Sequence, residues 1–232
     1  MSHRGLQVLY GVVNAHPELA AQRVFCPWPD MEEALRRGGQ PLVTLEDRIP
    51  LHRLDVLGFT LQYELSYTNI LTVLDLGGIP LLAADRGPEH PVVIGGGPCG
   101  FNPEPLAEVL DAVCLGDGEE VLVEVCEAVA RWREQGNGRR ELLRDALCAI
   151  PGVYVPSRYQ IRVAPDGATT GFEPLMGAPA VVQRRVIRDL DAAPAPIAPV
   201  VPFSKTVHDR LVVEIQRGCA RGCRFCQAGI LY

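Results

Sequence analysis

The sequence lacks a long apolar run. No window approaches the roughly 18 consecutive apolar residues that a membrane-spanning helix needs, and the opening stretch Met1–Gly11 has no apolar core of the kind found in secretory signals. It also lacks an excess of positive charge. Lys and Arg number 22 against 28 Asp and Glu, giving a formal net charge of −6 and a pI near 5.4. That balance disfavours a general phosphate-binding surface, so nucleic acid is not indicated as a partner. No internal repeat is present. These absences point to a cytoplasmic globular protein with no membrane partner. In that compartment the eight cysteines do not form a disulfide framework, and metal binding or catalysis is the expected use of any that cluster.

What is present fits one or two α/β domains in 232 residues, 47% of them apolar. Leu6–Val13 is apolar enough for a strand or an opening helix. In "PWPDMEEALRRGG", Asp30 is a candidate N-cap with Glu33 as its capping-box partner and Gly38 as a stop. "LDVLGFTL" reads as a buried parallel strand, and "SYTNILTVLDLGG" as a helix with a glycine stop. Val92–Ile94 is a second strand, Pro105–Leu110 a short helix, Ala112–Leu115 a third strand and Glu119–Trp132 an amphipathic helix. Strands alternating with helices predict a doubly wound parallel sheet over residues 1–138. Residues 139–207 read as a helix, a hairpin turning at Asp166-Gly167, and a connector with four prolines from Pro194 to Pro202. Residues 208–232 open with a strand, Leu211–Ile215, that runs directly into three cysteines.

Gly95, Gly97 and Gly100 form a literal G-x-G-x-x-G after the second strand, with Asp117 further on. Pro98 has no N–H to offer a pyrophosphate, and "FNPEP" delays the following helix. A nicotinamide or flavin site is therefore disfavoured. The loop still lies where parallel sheets bind ligands, beside the plainer reading of a tight turn. Cys26, Cys99, Cys114, Cys126 and Cys148 lie singly among apolar neighbours and read as small buried hydrophobes.

Cys219, Cys223 and Cys226 are different, because their spacing C-x3-C-x2-C brings three soft thiolate donors within eight residues. Gly218 and Gly222 allow the loop to bend. Structural zinc wants four protein ligands, for which only His208 or a distant cysteine offers a fourth. Ordinary iron–sulfur carriers also use four cysteines, so three imply an iron with an open coordination site. Arg217, Arg221 and Arg224 are expected to hold the thiolates ionised and to offset a negative cluster.

"VEIQRGCARGCRFCQAG" resembles the signature of the radical S-adenosylmethionine (radical SAM) superfamily, in the branch whose catalytic domain follows a cobalamin-binding-like, flavodoxin-like α/β domain. The resemblance implies that Cys219, Cys223 and Cys226 ligate a 4Fe–4S cluster. It implies that S-adenosylmethionine binds the remaining iron, with Phe225 beside the adenine, and that reductive cleavage yields a 5′-deoxyadenosyl radical. An electron donor such as a flavodoxin or ferredoxin is the implied partner. Gly95, Gly96 and Gly97, with Phe59–Gln62, resemble the place where the nucleotide tail of cobalamin would lie. The cobalt-ligating pattern D-x-H-x-x-G is missing, since none of His3, His16, His52, His90 and His208 has the required neighbours. Only the first strand and cluster loop of a radical SAM βα barrel are present, because six residues follow Cys226. The expectation is therefore the front part of a longer enzyme, with the remainder of the radical SAM domain as a partner. The alternatives are a non-catalytic module binding cobalamin or another ligand, and an inert fragment.

Overall fold

The computed structural model describes residues 3–136, 138–194 and 212–232. A four-stranded sheet runs in the order β1 (Val56–Thr60), β2 (Val92–Gly96), β3 (Ala112–Cys114) and β4 (Val153–Tyr154). The first three strands are parallel and β4 is antiparallel to β3. Because successive side chains point to opposite faces, each strand feeds two cores. Leu57, Val93 and Val113 face α3 (Tyr67–Leu76), whose Ile70, Val73 and Leu74 pack with Leu106, Val109 and Leu110. Val92, Ile94, Ala112 and Cys114 face α4 (Gly118–Glu134) and α5 (Arg140–Cys148). The expected α/β class, with both faces of a mainly parallel sheet covered, is what forms. The strands follow one another in consecutive order, and α1 (Arg4–Ala15) lies against α4.

Several expectations change in detail. Leu143 and Leu147 of α5 and Val153 of β4 are buried in the same core as α4. The limit drawn at residue 138 thus falls inside this core rather than at its edge. α2 (Pro29–Gly38) starts one residue before Asp30, because Pro29 is already suited to the first helical turn. Trp28 takes the N-cap position, so Asp30 is inside the helix and makes no capping box. The segment expected as a short helix from Pro105 is a 3₁₀ turn, Glu104–Leu106. Its amides mostly reach back three residues, and prolines 103 and 105 contribute none. The hairpin forms as β5 (Tyr159–Val163) and β6 (Thr169–Pro174), with Gly167 in the left-handed region and the Asp166 carboxylate accepting from the Ala168 amide at 3.0 Å. The proline connector lies for the most part outside the described residues, as does Leu211. No helix among the described residues is long and apolar enough to cross a membrane.

The amino ends of β2 and β3 are tied by a buried carboxylate. Asp111 accepts from the Val93 amide at 2.8 Å and returns its own amide to Val93 O. Arg140 Nη1 meets Asp111 Oδ1 at 2.8 Å, and Arg86 Nε lies 3.3 Å from Oδ2. The guanidiniums also serve the backbone: Arg140 donates to the carbonyls of Gly87, His90 and Pro91, and Arg86 to those of Pro80 and Val109. Burial pushes the Arg86 pKa down, while Asp111 works in the opposite direction. Removing a carboxylate from such a site strands two buried cations. Asp111→Ala is expected to lower the unfolding free energy by about 3–5 kcal/mol in a urea titration. Glu173→Ala breaks the exposed Arg162–Glu173 pair of the hairpin, and should change it by no more than about 1 kcal/mol. Equal losses in the two variants would overturn this ranking.

Candidate functional site

The carboxyl ends of β2 and β3 each run into a glycine turn. After β2, Gly97 adopts φ 119° and Gly100 donates to its carbonyl at 2.9 Å. A Cβ on Gly95 would come within 2.8 Å of Leu61 Cδ1 and 2.9 Å of Leu110 Cδ1. One on Gly97 would meet Gln62 Nε2 at 2.8 Å and Leu61 O at 2.9 Å. These glycines are required by the chain's own packing, which accounts for the motif as a tight turn. The space beside them is taken by Leu61, Gln62 and Leu110, and the cobalamin reading draws no support from it.

After β3, Gly116 adopts φ 91° and bridges to Arg185. A Cβ there would lie 2.1 Å from Arg185 O, so no larger residue admits this contact. Residues 183–187 form a strap across the strand end: Arg185 N donates to Leu115 O at 2.8 Å, and Asp117 N to Arg185 O at 3.0 Å. The Arg185 side chain reaches Glu120 and Glu124 on α4 at 2.6 and 2.8 Å. The Ile187 amide donates to Asp117 Oδ2 at 2.7 Å. The acids Asp117, Glu119 and Glu120 gather at the N-terminal end of α4, where the helix dipole favours negative charge.

The cysteine loop is attached to this acidic end. Arg217 Nη1 lies 3.1 Å from Asp117 Oδ1, Nη2 2.5 Å from Glu119 Oε1, and Nε 2.9 Å from Glu214 Oε1. Hydrogen bonding to Glu214 is the main cause that raises the Arg217 pKa, and the same bond lowers that of Glu214. This corrects the expectation for Arg217: its guanidinium is engaged by three carboxylates, and its charge is spent there rather than on the thiolates. Arg4 of α1 adds a second grip, donating to Val212 O at 2.7 Å. Residues 212–215 are not in a strand, since no neighbouring strand pairs with them.

Beyond Arg217 the chain turns at Gly218 (φ 83°) and Gly222 (φ 61°), and the Cys226 amide donates to Cys223 O at 3.1 Å. A short helix, α6 (Ala228–Leu231), folds back so that a Cβ on Gly229 would lie 2.7 Å from Cys219 O. All three cysteines are exposed and free. Phe225, expected beside an adenine or against a barrel, is 92% exposed. Among the described residues no group of three or more His, Cys, Asp or Glu side chains is arranged to hold a metal ion. The donor set suits an iron–sulfur cluster, with three thiols on one short loop whose glycines turn the backbone before the first and second. The loop as it stands does not gather them, so binding requires it to close.

Of the five scattered cysteines, read as buried hydrophobes, only Cys114 is buried; Cys26, Cys99, Cys126 and Cys148 are half-buried. Cys114 is buried against α4, and burial pushes its thiol up to about 12. Burial likewise carries Cys126 up to about 11. Sequence reading missed the partners of Arg217, whose only local trace is the acidic first turn "DGEE".

The described residues thus form a mainly parallel α/β domain that is followed by an exposed three-cysteine loop. Residues 5–156 match the family model described as radical SAM proteins, N-terminal, and the chain belongs to that family. No curated protein matches it. The matched residues stop before the cysteine loop, so the family and the cysteine spacing are separate observations.

Two outcomes are expected of the thiols. Iodoacetamide at neutral pH should modify Cys219, Cys223 and Cys226 rapidly, and Cys114 only in denaturant; mass spectrometry of tryptic peptides reads this directly. Protection of the three loop cysteines in metal-free protein would contradict their exposure. The raised thiols also set a pH dependence. The unfolded thiol titrates near 9.0 and the folded ones higher, so between these values the unfolded state holds fewer protons. Their stabilising contribution is full below pH 9 and declines as pH rises towards about 12. Cys114→Ala should flatten that alkaline decline in urea midpoints; an unchanged slope would remove Cys114 as a cause.

Proposed function

We propose that the chain is the N-terminal part of a radical SAM enzyme, with Cys219, Cys223 and Cys226 as the ligands of a 4Fe–4S cluster. The observation that carries the reading is the joint presence, in one chain, of the family match over residues 5–156 and a C-x3-C-x2-C loop whose three thiols are exposed. The chemistry that a bound cluster supplies is reductive cleavage of S-adenosylmethionine to methionine and a 5′-deoxyadenosyl radical. The chain's own contribution is to hold the loop against the α/β domain and to leave one iron without a protein ligand. Phe225 is the residue assigned to the adenine of S-adenosylmethionine.

The partner proposed for this face is the remainder of a radical SAM domain. Val212, Val213, Ile215, Phe225 and Ile230 are all largely exposed around the loop, and an extended apolar segment without a paired neighbour suits the first strand of a parallel barrel. A flavodoxin or ferredoxin is the proposed electron donor, and the cytoplasm, which keeps thiols reduced, the proposed compartment. The substrate class is left open, since no residue described here is assigned to it.

Anaerobic reconstitution with iron and sulfide tests the assignment. The chain should take up about four irons and four sulfides, in keeping with a 4Fe–4S centre. Cys219→Ala, Cys223→Ala and Cys226→Ala should each abolish uptake, while Cys26→Ala should retain it. Uptake that survives all three loop substitutions would overturn the reading.

A further inference from the structure

We propose that Arg217 is a positioning residue: seated between Asp117 and Glu119 at the start of α4, it fixes the cysteine loop on the α/β domain. Its consequence for a cluster rests on the reading of Cys219, Cys223 and Cys226 as ligands, whereas the clasp itself does not.

The receptor for Arg217 is built before the loop reaches it. Asp117 lies three residues beyond the end of β3, and its second carboxylate oxygen is held by the Ile187 amide at 2.7 Å. Glu119 is only 6% exposed and stands on a helix whose Val121 and Val125 are fully buried in the core. Two carboxylates fixed in this way present a site of defined shape. Arg217 fills it with its planar fork, directing Nη1 to Asp117 and Nη2 to Glu119 and keeping Nε for Glu214. A lysine ammonium carries the same charge but not this spread of donors. The anchor lies two residues before Cys219, and two residues span at most about 7 Å. Gly218 between them turns the chain at φ 83°. The clasp therefore confines Cys219 to the carboxyl end of β3 and leaves Cys223 and Cys226 free to move around it. Arg4, through Val212 O, steadies the approach to the anchor from the other side.

The experiment uses the full chain without iron. Endoproteinase Glu-C cuts after Glu214 only when the segment held by Arg217 leaves the surface, so the rate at Glu214 follows the population of released loop. Arg217→Ala is expected to raise cleavage after Glu214 at least tenfold while the thermal midpoint of the protein moves by no more than about 2 °C. Arg217→Lys should recover part of the protection. Glu119→Gln, which keeps the shape and removes the charge, should release the loop as Arg217→Ala does. Unchanged cleavage in both Arg217→Ala and Glu119→Gln overturns the proposal. Accelerated cleavage only in proportion to a lost thermal midpoint also overturns it, since the loop would then be following global unfolding. After reconstitution, Arg217→Ala should still take up iron but give a broadened electron paramagnetic resonance signal of the reduced cluster, sharpened again by Arg217→Lys. If the wild-type chain takes up no iron, the cluster reading fails and the cleavage rates still decide the clasp.

Discussion

The fold depends on a buried charge that is outnumbered. Asp111 lies between Arg86 and Arg140 at the amino ends of β2 and β3, one carboxylate against two guanidiniums, all nearly inaccessible to water. Such a group is costly to bury, and the cost is offset only where the remaining donors are satisfied. Main-chain carbonyls at Pro80, Gly87, His90, Pro91 and Val109 take most of them, while Arg86 Nε has only its 3.3 Å approach to Asp111 Oδ2. The arginines thus complete the hydrogen bonding of the loops that enter the sheet. They also pin α5 to β2 and β3, which is why α5 shares a core with α4 although it lies beyond the alternating pattern.

With the amino ends fixed, the carboxyl ends become a defined platform. β3 is only three residues long, so Asp111 and Asp117 bracket it closely. The two carboxylates do opposite work. Asp111 is enclosed and joins parts of the body to one another. Asp117 is half-buried and joins the body to segments that come later: the strap through Ile187 and the cysteine loop through Arg217. Gly116 makes this possible, because its missing Cβ is where Arg185 O approaches.

Much of the body could be read from the sequence because its signals are local. β1, β2 and β3 are continuous apolar runs, α3 and α4 carry helical periodicity, and Asp166-Gly167 marks a hairpin. The cysteine spacing is also local, and it pointed to the same superfamily as the independent match over residues 5–156. What could not be read depends on distance. Arg217 and Glu119 are 98 positions apart, and nothing near "EIQRGC" indicates that its arginine belongs to an acidic helix end rather than to the thiols. The place of α5 and β4 in the core was hidden for the same reason, since a nine-residue helix and a two-residue strand take their places from tertiary contacts. The G-x-G-x-x-G pattern shows the converse: a local motif whose glycines the packing of Leu61 and Leu110 already requires.

The arrangement separates Arg217 from the other basic residues of the loop. A single loop that closes around a metal centre needs a base that stays in place and a tip that can move. Arg217 supplies the first, because its charge is already matched by Asp117, Glu119 and Glu214 and has little left to offer a thiolate. Arg221 and Arg224 are exposed, flank Cys223 along the chain and belong to that tip. Gly218 and Gly222 stand at the two points where the fixed base gives way to the tip and where the tip itself bends. A loop of this construction can reorganise its thiols without disturbing the sheet, and the acidic end of α4 determines only where that reorganisation takes place.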